Sequence, residues 1–238
     1  MTSAQATMSL SVRGEAQRTT APDEARVLST LSATAGSKNA AMTEVRTALP
    51  GILADLAQLG GEALTAQTIR APLTWSTQSM RTQEEHAHDK TTGVHGPTGR
   101  HQSSVTLLVT VRDFSLLAGV AAAVISRDSV EVHSVSWSVD EDNAEWALVR
   151  ADAIRAALLK GHDYAAALGG SVVRVEHVAD AGLLGGDSSG PMRIPVRAFA
   201  MGASGFGGDD LSLDPPPQVL SATIEARFIS SVGALPVR

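Results

Sequence analysis

Residues 105–178 decide the fold and read VTLLVTVRDFSLLAGVAAAVISRDSVEVHSVSWSVDEDNAEWALVRADAIRAALLKGHDYAAALGGSVVRVEHV. Apolar residues at alternate positions from Val105 to Val111, and again from Val130 to Val139, indicate two strands. A short apolar helix from Phe114 to Ile125 separates them, and a helix of about 25 residues leads into a last strand, Ser171–Val178. Because strands alternate with helices, the order predicts an α/β (α+β) fold with helices packed on a sheet.

The alternation changes phase inside the second of these strands. Val130 and Val132 share one face, whereas Val135, Trp137 and Val139 share the other. A slip of one residue is what a β-bulge absorbs, so a bulge is predicted between Val132 and Val135.

The long helix carries an apolar stripe with alternating spacings of four and three residues, which predicts a face packed on a sheet or on another helix. Asp142, three residues before Glu145, predicts a capping box at its start, and Gly169-Gly170 predicts its end. The predicted stripe consists of Ala147, Ala151, Ile154, Leu158, Gly161, Ala165 and Leu168.

Three further elements complete the predicted core. Strands are expected over Met8–Thr19 and Glu24–Ala35, and a last alternating strand over Leu220–Phe228 returns to pair inside the sheet. A helix begins after Gly36, and the side chain of Ser37 or of Asn39 can serve as its N-cap. Pro50 lies inside that helix and predicts a kink or a local break, because proline cannot donate its backbone N–H.

Composition excludes several classes of protein. The 238 residues carry a net charge of −6 without a basic run, which argues against nucleic-acid binding. The absence of cysteine excludes disulfides, thiolate metal sites and cysteine nucleophiles.

No apolar run approaches the roughly 20 residues that span a bilayer, so membrane insertion is not expected. Residues 1–7 lack the basic and apolar regions of a signal peptide, so a cytoplasmic location is expected unless an exported start has been removed.

Three segments lack periodicity. Residues 1–7 are expected to be a flexible N-terminus. Residues 83–102 contain four histidines, three glycines and a proline, and predict a loop or hairpin tip. Residues 181–217 are rich in Gly, Pro, Asp and Ser and predict an irregular segment with one short strand near Ile194–Ala200.

Five stretches of this chain resemble the SIMPL domain family, a bacterial group of largely unknown function that includes a periplasmic immunogenic antigen. Residues 12–16 (VRGEA) and 21–25 (APDEA) look like the family's opening strand and its Pro-Asp turn. Residues 109–113 (VTVRD) look like the strand that enters the first helix of the second subdomain. The alanine-rich helix from Glu145 to Leu168 and the closing residues 224–228 (IEARF) are similar to its most regular helix and its terminal strand.

The resemblance covers most of the chain and implies one SIMPL-like domain over residues 8–231. It implies two interlocked subdomains of mixed sheet with helices packed on one face. It also implies ring-like or otherwise large homo-oligomers. The family supplies no agreed catalytic residues, so the resemblance assigns none here.

A metal site is one alternative function, centred on His86 and His88. In an extended segment, residues two apart face the same way, so both imidazoles could ligate one ion. A solvated loop that happens to be rich in histidine explains the same residues. Ligands that could complete the site are His95, His101, Glu84, Glu85 and Asp89.

A hydrolytic site is a second alternative, centred on His133. This histidine precedes the long helix and could pair with Ser134 or Asp140. An ordinary strand histidine that faces solvent is the simpler interpretation, and the chain has no Gly-x-Ser-x-Gly nucleophile elbow.

Two tryptophans are candidates for a subunit interface, where this residue type is enriched. Trp146 falls beside the predicted apolar stripe of the long helix, and Trp75 lies in a segment expected to be extended. The sequence therefore favours a non-enzymatic protein without a cofactor that acts through homo-oligomeric assembly, protein binding or both.

Overall fold

A computed structural model of the chain describes residues 6–88, 95–183, 199–200 and 214–233. The described residues form two compact units, each built from segments that are not contiguous in sequence. The first unit takes its residues from 1–21, 139–203 and 216–238, and the second from 22–138 and 204–215. The two units therefore alternate along the chain.

The described elements run in the following order, with a 3-10 turn (Phe114–Leu116) before α2 and a π-helical turn (Ala121–Ile125) after it. They are β1 (Thr7–Thr20), β2 (Glu24–Ala35), α1 (Lys38–Gln58), β3 (Glu62–Ala63), β4 (Leu73–Thr77), β5 (Arg81–His88), β6 (His95–Val111), α2 (Leu117–Val120), β7 (Val130–Ser138), α3 (Glu145–Ala167), β8 (Val172–Asp180), β9 (Phe199–Ala200) and β10 (Gln218–Ser231). Among them, β3 and β4 pair in parallel and the other paired strands run antiparallel, which confirms an α+β fold with mixed sheets.

The sheet of the first unit has the described order β1-β10-β8, with β9 also paired to β10. The last strand of the chain is therefore central in this sheet, as its alternation predicts. One face of β10 is buried and the other carries Glu225 and Arg227. The buried cluster between this face and α3 consists of Leu10, Val12, Ala153, Ala157, Ala165, Ile224, Ala226 and Phe228.

The predicted apolar stripe of α3 is confirmed only in its second half. Gly161 and Ala165 belong to the buried face and Leu158 and Leu168 pack against the buried cluster, whereas Ile154 is 39% exposed. The buried face of α3 consists mainly of small residues, because α3 lies close to β1. A Cβ placed on Gly14 would come within 2.0 Å of the Ala153 carbonyl oxygen. The observed buried face is Trp146, Val149, Ala153, Ala157, Gly161 and Ala165.

The start of α3 also differs from the expected capping box at Asp142. Asn143 Oδ1 accepts a hydrogen bond of 2.9 Å from the backbone N–H of Glu145, which is the role predicted for the aspartate. Asn and Asp serve about equally well near a helix start, so their order in the sequence does not decide between them. The Nε1–H of Trp146 donates to the carbonyl of Asp140 and fixes the same entry turn.

Charged side chains join α3 to β1 along one flank. Arg18 of β1 donates to Glu145 and to Asp152, each at 2.8 Å. Farther along the helix, Lys160 Nζ donates to the backbone carbonyl of Arg13 at 2.9 Å. These contacts hold α3 over the β1 side of the sheet and leave the β8 side less covered.

The hydrogen bond from Arg18 holds the pKa of Asp152 below its ordinary value of 3.8, with a partial opposing effect from desolvation. An aspartate with a depressed pKa stabilises the folded state above its unfolded pKa, and that contribution is lost as the pH falls through the folded value.

We therefore expect the free energy of unfolding to decrease progressively below about pH 4. Asp152→Asn should flatten this decrease in urea titrations at several pH values, with Asp163→Asn as the exposed control on the same helix. An equal acid slope in Asp152→Asn and wild type would contradict the assignment.

The sheet of the second unit has the described order β3-β4-β6-β2-β7, with β5 also paired to β6. Helix α1 covers one face, with Val45, Ile52 and Leu56 fully buried. Ser37 caps this helix by accepting from the N–H of Ala40, which confirms the predicted N-cap. The expected break at Pro50 is absent, because the proline lies on the exposed side of α1, where water can replace the lost hydrogen bond.

The predicted bulge is confirmed in β7. Leu28 of β2 pairs with Ser134 and the next residue, Ser29, pairs with Val132, so His133 is the extra residue. The phase change seen in the sequence therefore marks a real irregularity in the pairing of β2 with β7.

Of the two alternatives expected over residues 83–102, a loop or a hairpin tip, the described residues form a hairpin. Glu84 and His101 lie opposite each other in a hairpin of β5 and β6, and the pairing continues to His88 opposite His95. Pairing of β2 with β6 stops at His101, so the described part of the hairpin beyond it is a two-stranded ribbon. Both faces of such a ribbon meet water, which explains why its sequence lacks an apolar alternation.

The other two aperiodic segments lie mostly outside the described residues. Thr7, expected to be flexible, is the first residue of β1, and residues 1–5 are not described. Of residues 181–217, the structure describes 181–183, 199–200 and 214–217, and β9 lies within the stretch where a short strand is predicted. No helix of the described chain is both long enough and apolar enough to cross a bilayer.

Candidate interaction surface

Strand β8 forms an edge of the first unit's sheet. It pairs with β10 on one side, and no other described strand pairs with its second side. Its sequence, VVRVEHVAD, contains neither proline nor lysine, two residues that commonly protect edge strands from pairing with another chain. Within the described structure, the backbone N–H and C=O groups on that side have no strand partner, so a strand of another chain could pair with them.

The register with β10 shows which way the side chains of β8 face. Val175 lies opposite Phe228 and Val178 opposite Ala226, and both partners belong to the buried face under α3. Residues directly opposite in a sheet share a face. Val175 and Val178 therefore face the helix side of the sheet, where apolar residues are normally covered.

These two valines are nevertheless open to solvent. Val175 is 48% exposed and Val178 is 45% exposed, although their neighbours on β10 are almost completely buried. The cause is the position of α3, which the Arg18 contacts hold toward β1. Ile154, two residues after Asp152 and hence on roughly the opposite flank of α3, is also partly exposed. We call the set Val172, Val175, Val178 and Ile154 the β8 surface.

The predicted metal ligands lie on the ribbon. His86 is exposed on β5, and its Nδ1 lies 3.2 Å from the carbonyl oxygen of Glu84. His88 ends β5, and its backbone lies opposite that of His95. Among the side chains that the structure describes, no three His, Cys, Asp or Glu residues converge on a common point. A metal site at His86 and His88 stays a prediction.

The contacts of the His133 ring differ from the predicted pairing with Ser134 or Asp140. The bulge instead brings His133 Nε2 to 2.7 Å from Thr30 Oγ1, while its Nδ1 lies 3.9 Å from a carboxylate oxygen of Glu131. Carboxylate, imidazole and hydroxyl follow one another as in a hydrolase. Glu131 is highly exposed, however, so water competes for each of these contacts. The hydrolytic alternative stays a prediction without a sheltered site to support it.

The two tryptophans differ in how they are placed. Trp146 is only 8% exposed and packs with Val149 and Leu220 inside the first unit. It belongs to the buried face of α3, so its expected position beside that face is wrong. Trp75 is half-buried on β4 and packs against the core of the second unit. Interface roles for Trp146 and Trp75 stay predictions, and the β8 surface does not depend on them.

The structure contains a buried ion pair that the sequence patterns did not predict. Glu24, only 3% exposed, accepts from Arg112 at 2.5 Å and from Ser138 Oγ at 3.0 Å, and it also pairs with Arg26. The contact joins the first residue of β2 to the residue that follows β6. Glu24 and Arg112 lie in two of the stretches that carry the family resemblance. That position was the one sequence signal that could have pointed to this ion pair. Because the carboxylate already has these partners, a structural role explains it fully.

Comparison with known families agrees with this fold. A family model described as SIMPL, protein of unknown function (DUF541), matches residues 10–228, nearly the whole chain. No curated protein matches the sequence. The matched range includes both units, the Glu24–Arg112 pair and the β8 surface. The chain therefore belongs to the SIMPL family, whose function is unknown.

Proposed function

We propose that this SIMPL-family protein acts without catalysis, by assembling into homo-oligomers or by binding a protein partner through the β8 surface. The observation that carries the proposal is the pair of exposed valines, Val175 and Val178, on the helix side of an edge strand. An unpaired edge beside exposed apolar side chains is a surface that proteins either protect or use for association.

Association would remove two costs at once. The unpaired backbone groups of β8 would gain partners, and the exposed side chains would leave water, each contributing roughly 25 cal/mol per Å² of apolar area buried. The side chains flanking them on the other face, Arg174 and Glu176, are charged and can remain at a solvated rim. A core of valine bordered by charge is the usual composition of a protein–protein interface.

The proposal is tested by the oligomeric state of the wild-type chain and of Val175→Glu. We expect the wild type to form species larger than a monomer at micromolar concentrations in sedimentation velocity. Val175→Glu should raise the dissociation constant at least about tenfold, because a carboxylate would be buried without a partner.

Leu159→Glu is the matched control, since Leu159 is an equally large exposed apolar residue on α3 that lies away from the buried helix face. This variant should assemble like the wild type. A wild-type chain that remains monomeric over the whole concentration range, with no protein partner retained by β8, would overturn the proposal.

A further inference from the structure

We propose that the partner of β8 is β8 of a second copy, paired antiparallel about a two-fold axis that passes beside Val175. This inference rests on the proposed assembly function and specifies its contact. It would join two sheets of the order β1-β10-β8 into one continuous sheet with both α3 helices on the same side. Three features of β8 select this pairing: the spacing of its helix-facing residues, its charges and its valines.

Two irregularities set the spacing of the helix-facing residues. The register with β10 shifts between Arg227 and Phe228 and again between Ile229 and Ser230. As a result, Glu176 and Val173 have no direct partner on β10. The residues opposite the buried face of β10 are therefore Val172, Val175, Val178 and Asp180, so that the three valines recur every third position instead of every second.

Among the symmetric pairings, a centre at Val175 is the one that matches all three valines, whereas centres midway between residues 173 and 174 or between 176 and 177 match only two of them. In an antiparallel pair, opposite residues share a face, so each helix-facing residue must meet another helix-facing residue. A centre at Val175 places Val175 opposite its own copy and Val172 opposite Val178. Centres at residues 174, 176 or 177 would instead place Val175 opposite Val173, His177 or Ala179, and none of these three belongs to the helix-facing set.

The charges of β8 select the same centre independently. With Val175 on the axis, Arg174 of each copy lies opposite Glu176 of the other, and two complementary pairs form. A centre at 174 would place two arginines directly opposite each other, and a centre at 176 would do the same with two glutamates. Like charges directly opposite destabilise a pair of strands, whereas opposite charges stabilise it.

Bulges commonly protect an edge strand by bending it away from a partner. The two irregularities of β8 place Val172 and Val178 three residues on either side of Val175. A second copy paired about Val175 has the same spacing in the opposite direction, so its irregularities are complementary. A partner strand with regular alternation would match this edge poorly. The edge is therefore selective for its own copy.

Single cysteines test the register directly, because the wild-type chain contains no cysteine. Val175→Cys places its two thiols opposite each other across the axis, within the Cα separation that a disulfide spans. Val178→Cys is the matched control, with similar exposure and the same face. Its two copies would be separated by six residues along the strands, about 20 Å. Under mild oxidation, Val175→Cys should form disulfide-linked dimer at least about ten times faster than Val178→Cys.

A second variant tests the charges. Arg174→Glu would place carboxylates opposite each other twice and should raise the dimer dissociation constant at least about tenfold in sedimentation velocity. Light scattering of the same samples separates the two proposals. An oligomer in which Val178→Cys, or cysteine at 174, 176 or 177, cross-links faster than Val175→Cys overturns the register but leaves the assembly function standing. An oligomer without any β8 cross-link overturns the self-pairing. A strict monomer also overturns the self-pairing, and it overturns the proposed function as well when β8 retains no protein partner.

Discussion

Replacing Gly14 with valine is expected to lower the free energy of unfolding by about 3 kcal/mol or more, the upper end for overpacked sites. A Cβ on Gly14 would lie 2.0 Å from the carbonyl oxygen of Ala153 and 2.8 Å from the Cβ of Ala157. Neither atom is the end of a flexible side chain, so α3 would have to move away from β1. Urea unfolding followed by circular dichroism measures the loss, and hydrogen exchange should show that β1 and α3 lose protection.

Gly36→Ala provides the control for Gly14→Val. A Cβ at Gly36, which follows β2, meets no atom within 4 Å. Its effect should stay within about 0.5 kcal/mol, as for most exposed positions. If Gly14→Val unfolds at the same urea concentration as the wild type, the close approach of α3 to β1 is wrong.

Replacing Glu24 with glutamine is expected to cost about 3 kcal/mol, the lower end for breaking a buried ion pair. The change removes the carboxylate charge that faces Arg112, whose side chain is itself only 16% exposed. It also places an amide group where Ser138 and two arginines now donate to oxygen. Thermal and urea unfolding measure the loss, and the strand ends at residues 24, 112 and 138 should exchange faster.

The exposed pair between Arg13 and Glu225 gives the comparison. Arg13 is 55% exposed, and exposed ion pairs contribute about 1 kcal/mol or less. Arg13→Ala should therefore leave the unfolding midpoint almost unchanged. Equal effects of Arg13→Ala and Glu24→Gln would show that the Glu24 carboxylate is not held in a buried pair.

Local patterns predicted local structure well in this chain. The bulge at His133 could be located because a strand has a strict period of two, and a slip of one residue leaves a visible change of phase. The Ser37 cap and the central strand β10 followed from equally local signals. The fold class was predicted correctly for the same reason, since it depends on the order of such elements. The family was predicted correctly from the stretches that resemble it.

The buried face of α3 was predicted correctly only in the second half of the helix, because alanine occupies several sides of its first half. Hydropathy then identifies no unique stripe, and the close approach of Gly14 to Ala153 decides the face instead. Such a contact joins residues far apart in sequence and has no local pattern.

The β8 surface was missed for a related reason. The sequence shows that residues 171–178 form a strand, but its position at an edge depends on the pairing of β10 with both β1 and β8. The exposure of Val175 and Val178 depends further on where α3 lies. Edge position and helix placement are properties of the whole unit, so no local alternation could reveal them.

The way the chain alternates between its two units constrains the order in which they fold during synthesis. Most of the described second unit comes from the single stretch 22–138 and can begin to fold while the rest is still being translated. By contrast, Thr7 of β1 pairs with Ser231 of β10, so β1 must wait until β10 has been synthesised. Closing so long a loop is slow, and until it closes β1 remains an unsatisfied strand that a chaperone or a neighbouring nascent chain can capture.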